Sequence, residues 1–273
     1  MHRFMTFVNG SHLFGAFKSL DVFVDDYEAL YRYVFEQAVA RWRGSCVSPT
    51  PSAARLTRVY WYVIDIMDEW DLHSPRTRLY LQERFNDDRE LKGRWMQEAT
   101  RQLAGTGADT GRVEQTAFNA FVDDLRFWYE RRLSILGGMN RFYHAVEAAA
   151  EFVEMRRWGR WKLDLVHKNV IEKGLDVALA VDLVLMQDQF DVAILITGEL
   201  DSLPSIDYLK NQGKQVCVIE LLRGHAPEGR VRAASKLKPP ADFVVPIYEM
   251  ELVKMRLANK GEGDGGFHHL RDE

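Results

Sequence analysis

The side chains in this sequence best placed for chemistry are acids and amides that directly follow short apolar runs. Phe4 to Val8 is one such run, and Asn9, Gly10, Ser11 and His12 come straight after it. Val192 to Thr197 is another, followed by Gly198, Glu199 and Asp201. Arg58 to Ile64, rich in Val, Tyr, Trp and Ile, delivers Asp65, while Asp176 opens a strongly apolar stretch. Runs of this kind read as buried strands, and in an open parallel sheet ligands bind beyond the carboxyl ends of the strands. Carboxylates gathered there from separate segments repel one another unless a cation lies among them, and hard oxygen ligands suit Mg²⁺ or Mn²⁺. Each acid also has a plainer reading: Asp176 as the cap of its helix, Glu199 and Asp201 as solvated residues at the start of the next. Asp182 follows Asp176 by six residues, about 240° around a helix, so it reads as a partly buried structural acid that needs a partner.

The elements that must position these groups alternate between strand and helix. A strand at Phe4 to Val8 ends in a polar turn, and an amphipathic helix with an acidic first turn, Asp25 and Asp26, runs over Tyr27 to Trp42. A Ser/Pro-rich loop, Arg43 to Ala54, leads to the strand Arg58 to Ile64. Helical patterns then fill Leu79 to Leu103, Val113 to Leu136 and Met139 to Met155, and Trp158 to Val166 reads as a short strand or irregular hairpin. A helix is predicted over Asn169 to Gln187, with Val177, Ala180, Val181, Val184 and Leu185 as the apolar face that packs on a sheet. Val192 to Thr197, Ser205 to Asn211 and Gln215 to Ile219 form a strand, helix, strand unit, and Phe243 to Ile247 adds a strand after a loop from Arg223 to Pro240. The sum is an α/β protein with a mainly parallel sheet covered by helices, interrupted by a helical insertion and ending in a Gly- and Asp-rich tail.

Composition narrows the classes. A chain of 273 residues, 47% hydrophobic and 28% charged, suits one elaborated globular domain or two modest ones and excludes a disordered or fibrous chain. Lys plus Arg number 36 against 40 Asp plus Glu, a net charge of −4, so polyanion binding must come from a local basic patch. Cys46 and Cys217 lack the paired spacing of a disulfide framework or zinc site, which points to reduced thiols in the cytoplasm. Residues 1 to 20 hold no continuous apolar run, and the most apolar segments are too short to span a bilayer, so neither a secretory leader nor a membrane partner is expected.

Three blocks carry a resemblance. Phe7-Val8-Asn9-Gly10-Ser11-His12-Leu13, Lys173-Gly174-Leu175-Asp176-Val177-Ala178-Leu179-Ala180-Val181-Asp182 and Ile196-Thr197-Gly198-Glu199-Leu200-Asp201-Ser202-Leu203-Pro204 are similar to the signature blocks of the NYN domain family, and to its LabA-like branch most closely. The resemblance implies a three-layer α/β/α PIN-like nuclease fold, discontinuous over residues 1–65 and 151–250; the helical insertion at 66–150 and the disordered tail at 259–273 are read from pattern and composition and lie outside it. It further implies a ribonuclease, a hydrolase whose acidic cluster binds magnesium or manganese and cleaves RNA phosphodiesters. Asp176 falls on the second acidic position of the family, Glu199 and Asp201 on the two acids after the central strand, and Thr197 on a small hydroxyl residue in that turn. Asn9 stands where the family has its first Asp, and His12 where it often has Asn. The amide costs the site one negative charge and ligates a hard cation more weakly than a carboxylate. Glu199 keeps the charge on an arm one methylene longer.

RNA contacts would require positive charge near the acids. Arg156, Arg157, Arg160, Lys162, His167, Lys168 and Lys173 form the densest basic run, interleaved with Trp158 and Trp161, a pairing suited to phosphates and unpaired bases of single-stranded RNA. Ser11, His12 and Thr197 would line the same groove. A looser basic set is Arg223, Arg230, Arg232, Lys236 and Lys238. Both sets also fit a solvated face with the tryptophans in the core. Phe118, Phe121, Phe127, Trp128 and Tyr129 suit a core or a homodimer contact. Two further readings stay open: a catalytically inactive RNA-binding or protein-interaction module that keeps the fold, and a small-molecule phosphohydrolase, which lacks the Asp-x-Asp loop a phosphoaspartate route needs.

Overall fold

The computed structural model describes residues 1–45, 53–198, 203–226 and 240–261. In chain order the elements are β1 (His2–Asn9), α1 (Gly10–Leu20), β2 (Val22–Phe23), α2 (Tyr27–Ser45), β3 (Ala54–Met67), α3 (Pro75–Asp87), α4 (Arg89–Gln102), α5 (Thr110–Ala149), β4 (Val153–Asp164) and β5 (Asn169–Lys173). Then follow α6 (Leu175–Leu185), β6 (Val192–Ile196), α7 (Leu203–Asn211), β7 (Gln215–Leu222), β8 (Phe243–Tyr248), α8 (Glu249–Lys254) and β9 (Asn259–Lys260). Seven strands form a curled sheet in the order β5-β4-β3-β1-β6-β7-β8, and β2 pairs with β9. From β3 to β8 every neighbouring pair in that order is parallel. This is a mixed α/β architecture with a mostly parallel sheet, consistent with a PIN-like α/β/α fold.

The chain divides into two compact units, residues 1–65, 139–159 and 173–273 in one and 66–138 with 160–172 in the other. In the first, β1 and β6 are buried along their apolar length, as central parallel strands must be, and Phe4, Val8, Ile194, Ile196 and Trp61 join one core with Tyr31 and Val34 of α2. The second is built mainly from α3, α4 and α5 as far as Gly138, with Phe85 in contact with Phe118 and Phe121 at 5.6 and 5.3 Å between ring centres. Phe118, Phe121 and Tyr129 are buried there. The unit's own core therefore accounts for these three, while Phe127 is 69% exposed; a homodimer is not supported.

Several boundaries differ from the sequence pattern. Asp88 caps α4, accepting from the N–H groups of Glu90 and Leu91, and so splits the stretch predicted as one helix. Asn169–Lys173 is a strand and not the start of a helix: its β-branched Val170 and Ile171 are followed by Gly174 at φ 96°, a left-handed conformation that side chains resist. Gly174 and Gly159 of β4 seat the next helix. A Cβ on Gly159 would stand 2.5 Å from Leu175 Cδ2 and 2.8 Å from the Val63 carbonyl oxygen.

That contact selects the buried face of α6. Leu175, Leu179 and Leu183 turn inward, whereas Val177, Val181 and Leu185, predicted to pack on the sheet, are 69%, 48% and 72% exposed. The helix is apolar nearly all round, so periodicity could not choose between its faces. Substitution of Gly159 by Ala forces the added methyl against a strand carbonyl and is expected to cost about 1–3 kcal/mol. A lower denaturant midpoint with unchanged slope checks this, and an unchanged midpoint would show that the contact relaxes.

Candidate functional site

Strand β1 lies between β3 and β6, with Val8 opposite Ile196 and Asn9 opposite Tyr62. One residue beyond the Val8–Ile196 pair, Asn9 and Thr197 stand at the carboxyl rim of the sheet, 4% and 3% exposed. The chain turns from Asn9 directly into α1, a helix where the residue types predict a polar turn. Asn9 is the N-cap of that helix, in extended backbone, and its Oδ1 accepts the His12 N–H at 3.0 Å. Asn9 Nδ2 donates to Asp176 Oδ1 at 2.8 Å. Asp176 occupies the first turn of α6 and is half-buried, while the cap of α6 is Gly174, with no side-chain cap bond. The acid is therefore not the cap of its own helix; it faces the amide at the end of the central strand. His12 completes the cluster: a Cβ on Gly198 would strike its imidazole, and burial lowers the pKa of that ring.

The other residues singled out in the sequence have varied fates. Glu199 and Asp201 lie outside the described residues, as do Arg230, Arg232, Lys236 and Lys238. Ser11 is half-buried in the first turn of α1. Asn9 pairs with Tyr62, so Asp65 stands three residues further along β3 and not at the rim; β3 continues past it to Met67. Arg157 Nη2 donates to Glu147 Oε2 at 2.5 Å and faces His144 Nδ1 at 3.3 Å. Arg160, in the second unit, pairs with Asp68 at 2.5 Å. Lys173 is exposed. The two tryptophans separate: Trp161 is 7% exposed and Trp158 66%. Among the described residues no three His, Cys, Asp or Glu side chains form a group that could hold a metal ion.

Asp182 has the partner its apolar surroundings demanded. Tyr62 Oη donates to its Oδ2 at 2.9 Å, and Arg156 Nε lies 3.4 Å from the same oxygen. Burial, and next the adjacent carboxylate, push the Tyr62 phenol well above its ordinary pKa. The Arg156 guanidinium also covers the Tyr60 ring at 4.4 Å. Neither Tyr62 nor Arg156 is legible as the partner of Asp182 from sequence, because both are distant in the chain. Asn9 as a helix cap did have a signal: an Asn just before Leu13, Phe17 and Leu20 at helical spacing.

A parallel α/β sheet whose carboxyl rim gathers an amide and an acid from separate elements is the class of protein defined so far. Compared with known families, residues 137–238 match the family model of the NYN domain. This part of the chain is thus similar to a PIN-like nuclease family; the matched span holds Asp176, Glu199 and Asp201 and does not include Asn9. A crystal structure of a protein of unknown function from Vibrio parahaemolyticus RIMD 2210633 is similar at TM-score 0.39 and 11% sequence identity, covering 91% of this chain and 94% of that one. No curated protein matches the chain. Among the described residues, no helix is long and apolar enough to cross a membrane.

Replacing Tyr62 by Phe removes a hydrogen bond to a charged, mostly buried carboxylate and is expected to cost about 1.5–3 kcal/mol. Urea denaturation measures it; a loss below about 0.5 kcal/mol would show that Arg156 alone satisfies Asp182.

Proposed function

We propose that the protein is a metal-dependent ribonuclease of the LabA-like branch of NYN proteins, hydrolysing single-stranded RNA in the cytoplasm. The observation that carries the proposal is the bond from Asn9 to Asp176 at the carboxyl rim of the parallel sheet, where Thr197 follows the last residue of the neighbouring strand. Asp176 fits a hard divalent ion: it is half-buried, and its Oδ2 takes no hydrogen bond among the described residues. Asn9 does not fit in the same way, since the group it turns toward Asp176 is an N–H donor. In this reading Asp176, Glu199 and Asp201 hold Mg²⁺ or Mn²⁺, which when bound supplies a water of lowered pKa and neutralises charge on the scissile phosphate. Ser11, His12 and Thr197 line the approach of the strand, and Arg157, Arg160 and Lys173 are candidate phosphate contacts. The ion pairs of Arg157 and Arg160 with Glu147 and Asp68 moderate that contribution. Trp158 supports an RNA ligand more directly, because its side chain is 66% exposed, which leaves the indole open to stack on an unpaired base, and its backbone lies against Gly174, just before α6. The buried free thiol of Cys217 suits a reducing compartment.

One observation favours the second reading, a fold that binds RNA without cutting it: Asn9 gives one oxygen of Asp176 a neutral donor in the place where a ligand to a cation would turn an oxygen. Cleavage assays separate the two. Mn²⁺- or Mg²⁺-dependent cleavage of single-stranded RNA is expected, falling about 100-fold or more in Asp176→Asn and Asp201→Asn and rising in Asn9→Asp. If the Asn9→Asp protein cuts none of several RNAs with either metal, the hydrolytic assignment fails. Trp158→Ala is expected to weaken single-stranded RNA binding by about 1–3 kcal/mol, read by fluorescence anisotropy at fixed salt; unchanged affinity would remove the indole from the interface.

A further inference from the structure

Asn9 has two polar ends, and both are committed. Its Oδ1 accepts the His12 N–H at the start of α1, and its Nδ2 donates to Asp176 at the start of α6. Turning the amide over would set Oδ1 against the Asp176 carboxylate and the NH₂ group against the His12 N–H, two repulsive contacts in place of two hydrogen bonds. At 4% exposure, no water replaces either partner cheaply. The amide orientation is thus fixed by its surroundings, and what it presents to Asp176 is a donor.

We infer that Asn9 is a positioning residue: its amide N–H takes the place of a cation beside Asp176 and holds that carboxylate in its site orientation with no ion present. The inference rests on the reading of Asp176 as a site residue and deepens it, since it makes the rim of the sheet self-assembled. It also divides the duties of Asn9. Capping α1 needs an acceptor, which Asp supplies as well as Asn does. Holding Asp176 needs a donor, which an ionised Asp lacks.

That difference gives the experiment. Thermal melting is measured in EDTA and in Mn²⁺, without RNA, for the wild type, Asn9→Asp and the double variant Asn9→Asp/Asp176→Asn. Asn9→Asp is expected to melt about 2–4 °C or more below the wild type in EDTA and to gain more from Mn²⁺ than the wild type does. The double variant, in which an amide at 176 can donate to a carboxylate at 9, is expected to recover most of the loss in EDTA. An Asn9→Asp protein too unstable to purify, rescued by the second substitution, supports the inference equally. A cap-only role predicts that Asn9→Asp melts with the wild type in EDTA, and that result overturns the inference, as does a double variant no better than the single one. Because no RNA is present, absence of cleavage in every form would sink the ribonuclease reading and leave this one standing. An active Asn9→Asp enzyme that melts like the wild type would do the reverse.

Discussion

One amide joins two helix starts in this protein. The positive ends of α1 and α6 both open at the carboxyl rim of the sheet, and Asn9 stands between them, accepting from one and donating to the acid in the first turn of the other. A hydrogen bond to a charged group is worth about 1.5–3 kcal/mol when sheltered, against about 0–1 for an exposed ion pair, so this contact outweighs such surface pairs as Arg32–Glu28 and Arg101–Glu98. Everything proposed for the site depends on Asp176 being held where that bond puts it.

Placing Asp176 there is the work of glycines. Gly174 allows the chain to leave β5 with a positive φ and begin α6 at once, and Gly159 lets Leu175 settle directly on the strand. Gly198 plays a similar part at the end of β6, where a side chain would displace His12. With Leu175, Leu179 and Leu183 pinned inward, Asp176 is turned toward β1, and Asp182, farther round the helix, meets Tyr62 and Arg156. The two acids of one apolar helix thereby receive separate environments: a neutral donor for the first, a phenol and a guanidinium for the second.

Much of the scaffold was readable in the chain. Phe4–Val8, Val192–Ile196 and Gln215–Ile219 are apolar runs whose lengths and turn signals fit buried strands, and the structure has β1, β6 and β7 there. The helix over Tyr27 to Trp42 was legible from its spacing, as α2 bears out. Over Asn169 to Lys173 the sequence pattern predicts helix where the structure has a strand, because a local window cannot weigh two β-branched residues against the strong helix that follows. Helix α5 runs unbroken through Gly137-Gly138, where the sequence pattern divides between Leu136 and Met139.

For the site, the sequence by itself determined the chemistry available: an amide and acids placed after buried strands or at the start of a helix, with a basic, tryptophan-bearing segment near Asp176 in the chain. Residue types and strand ends are local properties, and local pattern suffices for them. Only the tertiary structure decided which of these groups meet. Asn9 and Asp176 are 167 residues apart in sequence, and their contact follows from the parallel register of β1 and the seating of α6 on Gly159. The same holds for the opposite burial of Trp158 and Trp161, because which side of a strand faces the core is settled by what packs against it and not by the strand's own composition.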